Sequence, residues 1–138
     1  MKNGGVDIED NKVKQYVRYQ KGYRYIKVPN HPFANTNGFV AEHRIVVEQY
    51  LLDDSNSIIV DGIRYLSRNY AIHHIDFNRL NNNPENLLIM TVGEHIGMHK
   101  KLYDKEYFSH YCKMFNLNES VVKKTRVDFK AGYYKKYK

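Results

Sequence analysis

Residues Ile72 to His99 read IHHIDFNRLNNNPENLLIMTVGEHIGMH, and this stretch decides the fold. Tyr70 to Ile75 has the composition of a strand, and Asp76 to Pro84 is a loop holding five Asn or Asp positions. Leu87 to Met90 reads as a second strand. Thr91-Val92-Gly93-Glu94 then fits a capping box, with Thr91 at the N-cap and Glu94 three residues on. The spacing predicts a helix from there to about Tyr103. The unit is therefore strand, loop, strand, helix, and four of the chain's seven histidines lie on it.

His95 and His99 are four apart on the predicted helix, so their side chains stack on one face about a turn apart. Two nitrogens so placed suit one cation, although such a pair also arises by coincidence on a helix surface. His73 on the preceding strand completes a three-imidazole set that leaves coordination positions open for water and substrate, as catalytic metal sites do. His74 suits a general base, since imidazole titrates near neutral pH and its neutral form does not repel phosphate. Together these residues suggest a metal site built to cut a phosphodiester. A regular pleat sends His73 and His74 to opposite faces. They serve one site only if the strand bends into the loop or the substrate lies between metal and base. In-line attack favours the latter. Asn86 is placed to bond backbone across the turn and hold the loop that aims His74. Asn81, Asn82 and Asn83 read as ordinary turn residues. Arg79 either pairs with a phosphate or is an exposed loop arginine.

Outward from this unit, Gln15 to Val28 alternates around Lys21-Gly22, a hairpin signal. Prolines and asparagines between Pro29 and Gly38 mark a loop that includes His31, read as a turn residue. Phe39 to Leu52 predicts an amphipathic helix with Val40, Ile45, Val46, Tyr50 and Leu51 inward. Within it His43 reads as a packed structural histidine and Arg44 as a phosphate contact. Asp61-Gly62 closes a second hairpin. Beyond Asp104, Lys105 to Phe115 and Glu119 to Phe129 predict two short helices. Their apolar positions Phe108, Met114, Leu117, Val121 and Val122 fit either a loose helix-turn-helix or a pair of helices covering the core.

A chain of 138 residues suits one domain. The expected division is a polar N-terminal segment 1–14, a main domain 15–103, and a basic helical tail 104–138. Residues 1–99 hold 11 Lys or Arg against 11 Asp or Glu, so residues 100–138, with 11 against 4, carry the whole net charge of +7. Tyr103, Tyr107, Tyr111, Tyr133, Tyr134 and Tyr137 interleave with those cations. That asymmetry points to nucleic acid, although a solvated tail would look the same. The lone Cys112 excludes a disulfide framework. No run is apolar and long enough to span a bilayer, and the opening residues lack a signal-type apolar core, so an intracellular protein is expected.

His73-His74, Asn86 twelve residues later, then His95 and His99, resemble the HNH, or ββα-metal, nuclease family. Gly22-Tyr23-x-Tyr25-Ile26, Pro29-x-His31-Pro32 and Val40-x-Glu42-His43-Arg44 resemble the N-terminal half of HNH endonucleases of phages and mobile elements. The resemblance covers about residues 20–100. It implies an α+β fold with a ββα-metal (His-Me finger) core, preceded by a β-hairpin and helix and followed by the basic helical tail. It also implies His74 as general base, Asn86 as the loop-fixing Asn, and His73 and His95 as ligands. His99 matches a ligand that some members use and others do not. Phe77 departs from the pattern, standing where phage members commonly have Gly, and the Cys pairs of zinc-stapled relatives are absent.

The expectation is a DNA endonuclease using one divalent ion, Mg²⁺, Mn²⁺, Zn²⁺ or Ni²⁺, in the cytoplasm of a bacterial host if phage-encoded. Three imidazoles favour the softer ions, and oxygen-preferring Mg²⁺ gains if His99 stands aside. Arg44, Arg79, Lys100, Lys101, Lys123, Lys124 and Arg126 are the expected contacts to double-stranded DNA. Monomer and homodimer both remain open. The alternatives are a non-catalytic DNA-binding protein on the same scaffold and a nuclease for RNA or single strands.

Overall fold

The computed structural model describes residues 16–130. The expected N-terminal segment 1–14, Gln15, and the tail beyond Lys130 with Tyr133, Tyr134 and Tyr137 lie outside the described residues. Strands β1 (Val17–Gln20), β2 (Tyr23–Lys27) and β3 (Phe39–Ala41) form one antiparallel sheet. Helix α1 (Glu42–Tyr50) follows, then a hairpin of β4 (Ser57–Val60) and β5 (Ile63–Leu66). A second hairpin pairs β6 (Tyr70–His74) with β7 (Leu87–Thr91), a 3-10 turn at Pro84–Asn86 leading into β7. Three helices complete the described residues: α2 (Val92–Lys101), α3 (Lys105–Met114) and α4 (Glu119–Lys130). Among the described residues no helix is long and apolar enough to cross a membrane.

Local chemistry explains most of these boundaries. Lys21 and Gly22 have φ of 53° and 82°, and Asp61 and Gly62 have φ of 52° and 81°. Positive φ at both central residues is what a two-residue turn needs to match strand twist. Thr91 and Glu94 make both capping-box bonds and start α2. The expected helix from Phe39 requires correction. Phe39 and Val40 are buried strand residues opposite Lys27 and Ile26, and α1 begins only at Glu42. The Asn35 side chain accepts from the Phe39 N–H, so the loop delivers this segment extended and β2 captures it. Apolar residues on a short strand and on the helix behind it merge into one run in the sequence.

Two packed clusters lie on either side of the β6–β7 hairpin. Val47, Leu66 and Leu87 anchor one, with Tyr70, Ile72 and Ile89 against it. Phe77, Leu102, Phe108, Tyr111, Cys112 and Val122 form the other, so α3 and α4 cover the region beside α2. Met114 and Val121, expected on the apolar faces of these helices, are exposed. His31 is no mere turn residue. It is buried, its Nδ1 accepts from the Phe33 N–H, and so its Nε2 donates to Glu48 at 2.7 Å. Glu48 also accepts from Arg44 and from the Leu66 N–H, tying loop, α1 and β5 together.

Phe77 has φ of 65°, the left-handed conformation that favours glycine. Its ring compensates for the strain. It is buried and packs edge-on to His73 and Tyr111, with ring centroids 5.2 and 5.6 Å apart. Left-handed geometry costs about 1–2 kcal/mol in a side-chain-bearing residue, whereas deleting a buried Phe costs roughly 3–5 kcal/mol. Phe77→Gly is accordingly expected to lower stability by about 2–3 kcal/mol. Urea unfolding measures it, and a variant as stable as the parent would show that backbone strain dominates.

Candidate metal centre and general base

Alternation along β6 separates the two adjacent histidines. Tyr70 and Ile72 pack into the cluster around Val47, and His74 follows the same face toward His43 and Tyr23, with ring centroids at 5.1 and 6.1 Å. His73 turns the other way. Its ring meets His95 at 5.4 Å and His99 at 5.2 Å. The strand does not bend to bring both imidazoles onto one side, so a substrate served by both must lie between them.

His73, His95 and His99 each offer a ligand atom, all within 4.8 Å of one another. The capping box orients α2 so that His95 and His99 face β6, and their Nε2 atoms are 2.9 Å apart. Two imidazoles binding one zinc at about 2.0–2.1 Å in tetrahedral geometry place their nitrogens about 3.4 Å apart. A rotation of a few tenths of an ångström would therefore admit an ion. Burial depresses all three, His73 to about 2, His95 to about 4 and His99 to about 3, and the neighbouring histidines add to the effect. They are neutral at pH 7, and neutral imidazole is the metal-binding form. The donor set fits a divalent ion that accepts nitrogen.

Tyr111 on α3 orients His73. The Tyr111 hydroxyl donates to the Ile75 carbonyl at 2.6 Å, and His73 Nε2 lies 2.7 Å from the same oxygen. Burial raises the Tyr111 phenol, which stays protonated. Its one proton is committed to Ile75, so His73 must donate through Nε2–H, and the lone pair resides on Nδ1. Partners of this kind set the tautomer of a ligating histidine. Tyr111→Phe keeps the ring and removes the hydroxyl. The expected outcome is a 10–100-fold loss of Zn²⁺ affinity, read by competition with a chromophoric chelator. Equal affinity would mean that packing alone orients His73.

The loop after β6 is organised by Asn86. Its Oδ1 accepts from the Asp76 N–H, and its Nδ2 donates to Asp76 Oδ1 and to the Asn81 carbonyl, all within 3.0 Å. His74 Nε2 lies 2.7 Å from Asn82 Oδ1, and Asn82 Nδ2 donates to Glu42 at 2.8 Å. Asn82 therefore reaches the site, although its run of asparagines marks only a turn. Desolvation is the main cause lowering the His74 pKa, opposed by the Asn82 bond. The imidazole is thus held as a free base. His43, beside it, is lowered to about 3 by burial and by His74.

The expected DNA contacts divide. Lys100, Lys101, Lys123 and Lys124 are exposed. Arg79 lies over the Tyr23 ring at 4.6 Å and donates to the Lys21 carbonyl, docking the loop on the β1–β2 turn. Arg44 is engaged by Glu48 and the Leu66 carbonyl at 2.8 and 2.9 Å. Arg126 requires correction. It is buried, lies over the Phe77 and Phe108 rings and donates to the Leu102 carbonyl, so it is out of reach of a phosphate backbone. A long stem and a planar cation let arginine serve as a core residue where aromatic faces line its path.

A β-hairpin followed by a helix thus brings three imidazoles close enough to hold one metal ion, with a buried fourth, His74, on the other face of the strand. Residues 65–95 match the family model described as HNH endonuclease, which points to a nuclease. The matched segment takes in His73, His74, Asn86 and His95 and stops before His99. No curated protein and no solved structure matches the chain.

Proposed function

We propose that the chain is a metal-dependent DNA endonuclease of the ββα-metal type, of the kind carried by phages and mobile elements. The observation that carries this reading is the placement of His73, His95 and His99 on one side of β6 and of His74 on the other, with all but His99 inside the segment that matches HNH endonucleases. His73 and His95, with His99, would hold one divalent ion. Bound there, it would supply Lewis-acid stabilisation of the charge on the phosphoryl and leaving oxygens. His74 takes a proton from water as the water oxygen bonds to phosphorus. The bond from phosphorus to the 3′-oxygen breaks, leaving 5′-phosphate and, after solvent protonates the leaving oxygen, 3′-hydroxyl ends. Asn86 holds the loop that aims His74. Lys100, Lys101, Lys123 and Lys124 contact phosphates and position the duplex without reading its sequence.

A nuclease for single strands or RNA is the second reading. It is favoured by Tyr16 and Tyr19, each 64% exposed at the first strand, where bases can stack. Incubating the chain with supercoiled plasmid, single-stranded DNA and RNA, under Mg²⁺, Mn²⁺, Ni²⁺ or Zn²⁺ and with chelator, tests both. Metal-dependent nicking of plasmid is expected. Binding with no cleavage under any ion would leave a non-catalytic DNA-binding protein instead.

A further inference from the structure

We infer that Asn82 and Glu42 are positioning residues for His74, and that they commit its Nδ1 atom to the attacking water. The inference rests on the reading of His74 as general base. Glu42 is the first residue of α1. An ionised carboxylate only accepts hydrogen bonds. Glu42 receives the Arg24 guanidinium from β2 on Oε2 and Asn82 on Oε1. The Asn82 amide must then turn its nitrogen to Glu42 and its oxygen to His74. An amide oxygen also only accepts, so its 2.7 Å contact with His74 Nε2 requires a proton on Nε2. A neutral imidazole carries one N–H. The lone pair is therefore on Nδ1, the atom left to abstract a proton.

This chain of acceptors and donors joins β2, α1, the loop and β6, so the base is oriented by four separate elements. It differs from the role of Asn86, whose amide is spent entirely within the loop. The Asn82 amide has both ends on other elements, 8 and 40 residues away in the chain. An imidazolium formed at His74 would keep its Nε2–H bond to Asn82, with the Glu42 carboxylate behind it, so the network serves both states of the base.

The test uses the full chain with ¹⁵N-labelled histidine at pH 8. Nitrogen shifts distinguish protonated from bare ring nitrogens. The wild type is expected to show His74 protonated at Nε2. Asn82→Ala should give a mixture of tautomers and lower kcat for plasmid nicking on the order of 10²-fold. KM and Zn²⁺ affinity should hold, and thermal unfolding checks that the variant is folded. Glu42→Gln keeps the shape but presents donor and acceptor alike, so the amide can flip and the Nε2–H form should lose its dominance. A wild type protonated at Nδ1, or a folded Asn82→Ala variant with unchanged tautomer and kcat, overturns the inference. A wild type that cuts nothing under any ion removes the nuclease reading, and the assignment of Nδ1 to water falls with it. That failure is recognised by its appearing before any variant is made.

Discussion

His74→Ala is expected to lower metal-dependent plasmid cleavage by about 10²–10⁴-fold, the usual worth of a general base, while Zn²⁺ affinity stays at the wild-type value. The separation follows from the pleat. His74 lies on the face of β6 opposite His73, against His43, Tyr23 and Asn82, so truncating it leaves the three-imidazole cluster intact. Burial already holds the imidazole neutral, and the loss should be similar from pH 7 to 8. Cleavage rates and a chelator competition on the same preparation read the two quantities. A variant that retains a tenth of the activity, or loses the metal with it, would remove His74 from the base role.

The second large effect concerns the metal. Zn²⁺ at one hundred times its dissociation constant should stabilise the folded chain by about 2.7 kcal/mol, which is roughly 10 °C in melting temperature for a domain of this size. Chelator should reverse the shift, and His99→Ala should abolish most of it if that residue is a ligand. Without metal, the same histidines make the fold acid-sensitive. His43, His73, His95 and His99 are depressed to between about 2 and about 4, against 6.5 in the unfolded chain. The unfolded state binds more protons in that interval. Stability is therefore full above about pH 6.5 and falls as pH drops below it, by up to about 1.4 kcal/mol per pH unit for each such imidazole. Urea midpoints at pH 7.5, 6 and 5 measure the slope. A midpoint that does not move would mean that the imidazoles are hydrated and ordinary.

The C-terminal helices gain a different meaning from these contacts. The sequence shows a basic, Tyr-rich tail, and four of its lysines are exposed as a phosphate-binding surface requires. Yet Tyr111 reaches His73, and Arg126 covers the ring of Phe77. Helices α3 and α4 therefore form the wall behind the three histidines, and part of the positive charge counted in the sequence is internal.

What the sequence determined by itself is local. The turns at Lys21-Gly22 and Asp61-Gly62, the capping box at Thr91 and Glu94, and the pairing of His95 with His99 on one helix face all follow from sterics and hydrogen bonds within a few residues. So does the division of His73 from His74, since a pleat alternates. Tertiary structure decided what those signals cannot carry. The partners of His73 and Asn82 lie 38 and 40 residues away, Phe39 is a strand because β2 is there to pair with it, and Phe77 accepts a glycine's backbone because α3 and α4 bury its ring. Residue type sets which bonds a side chain can make. Only the packed fold sets which neighbour it makes them with, because burial penalises every donor or acceptor left without one.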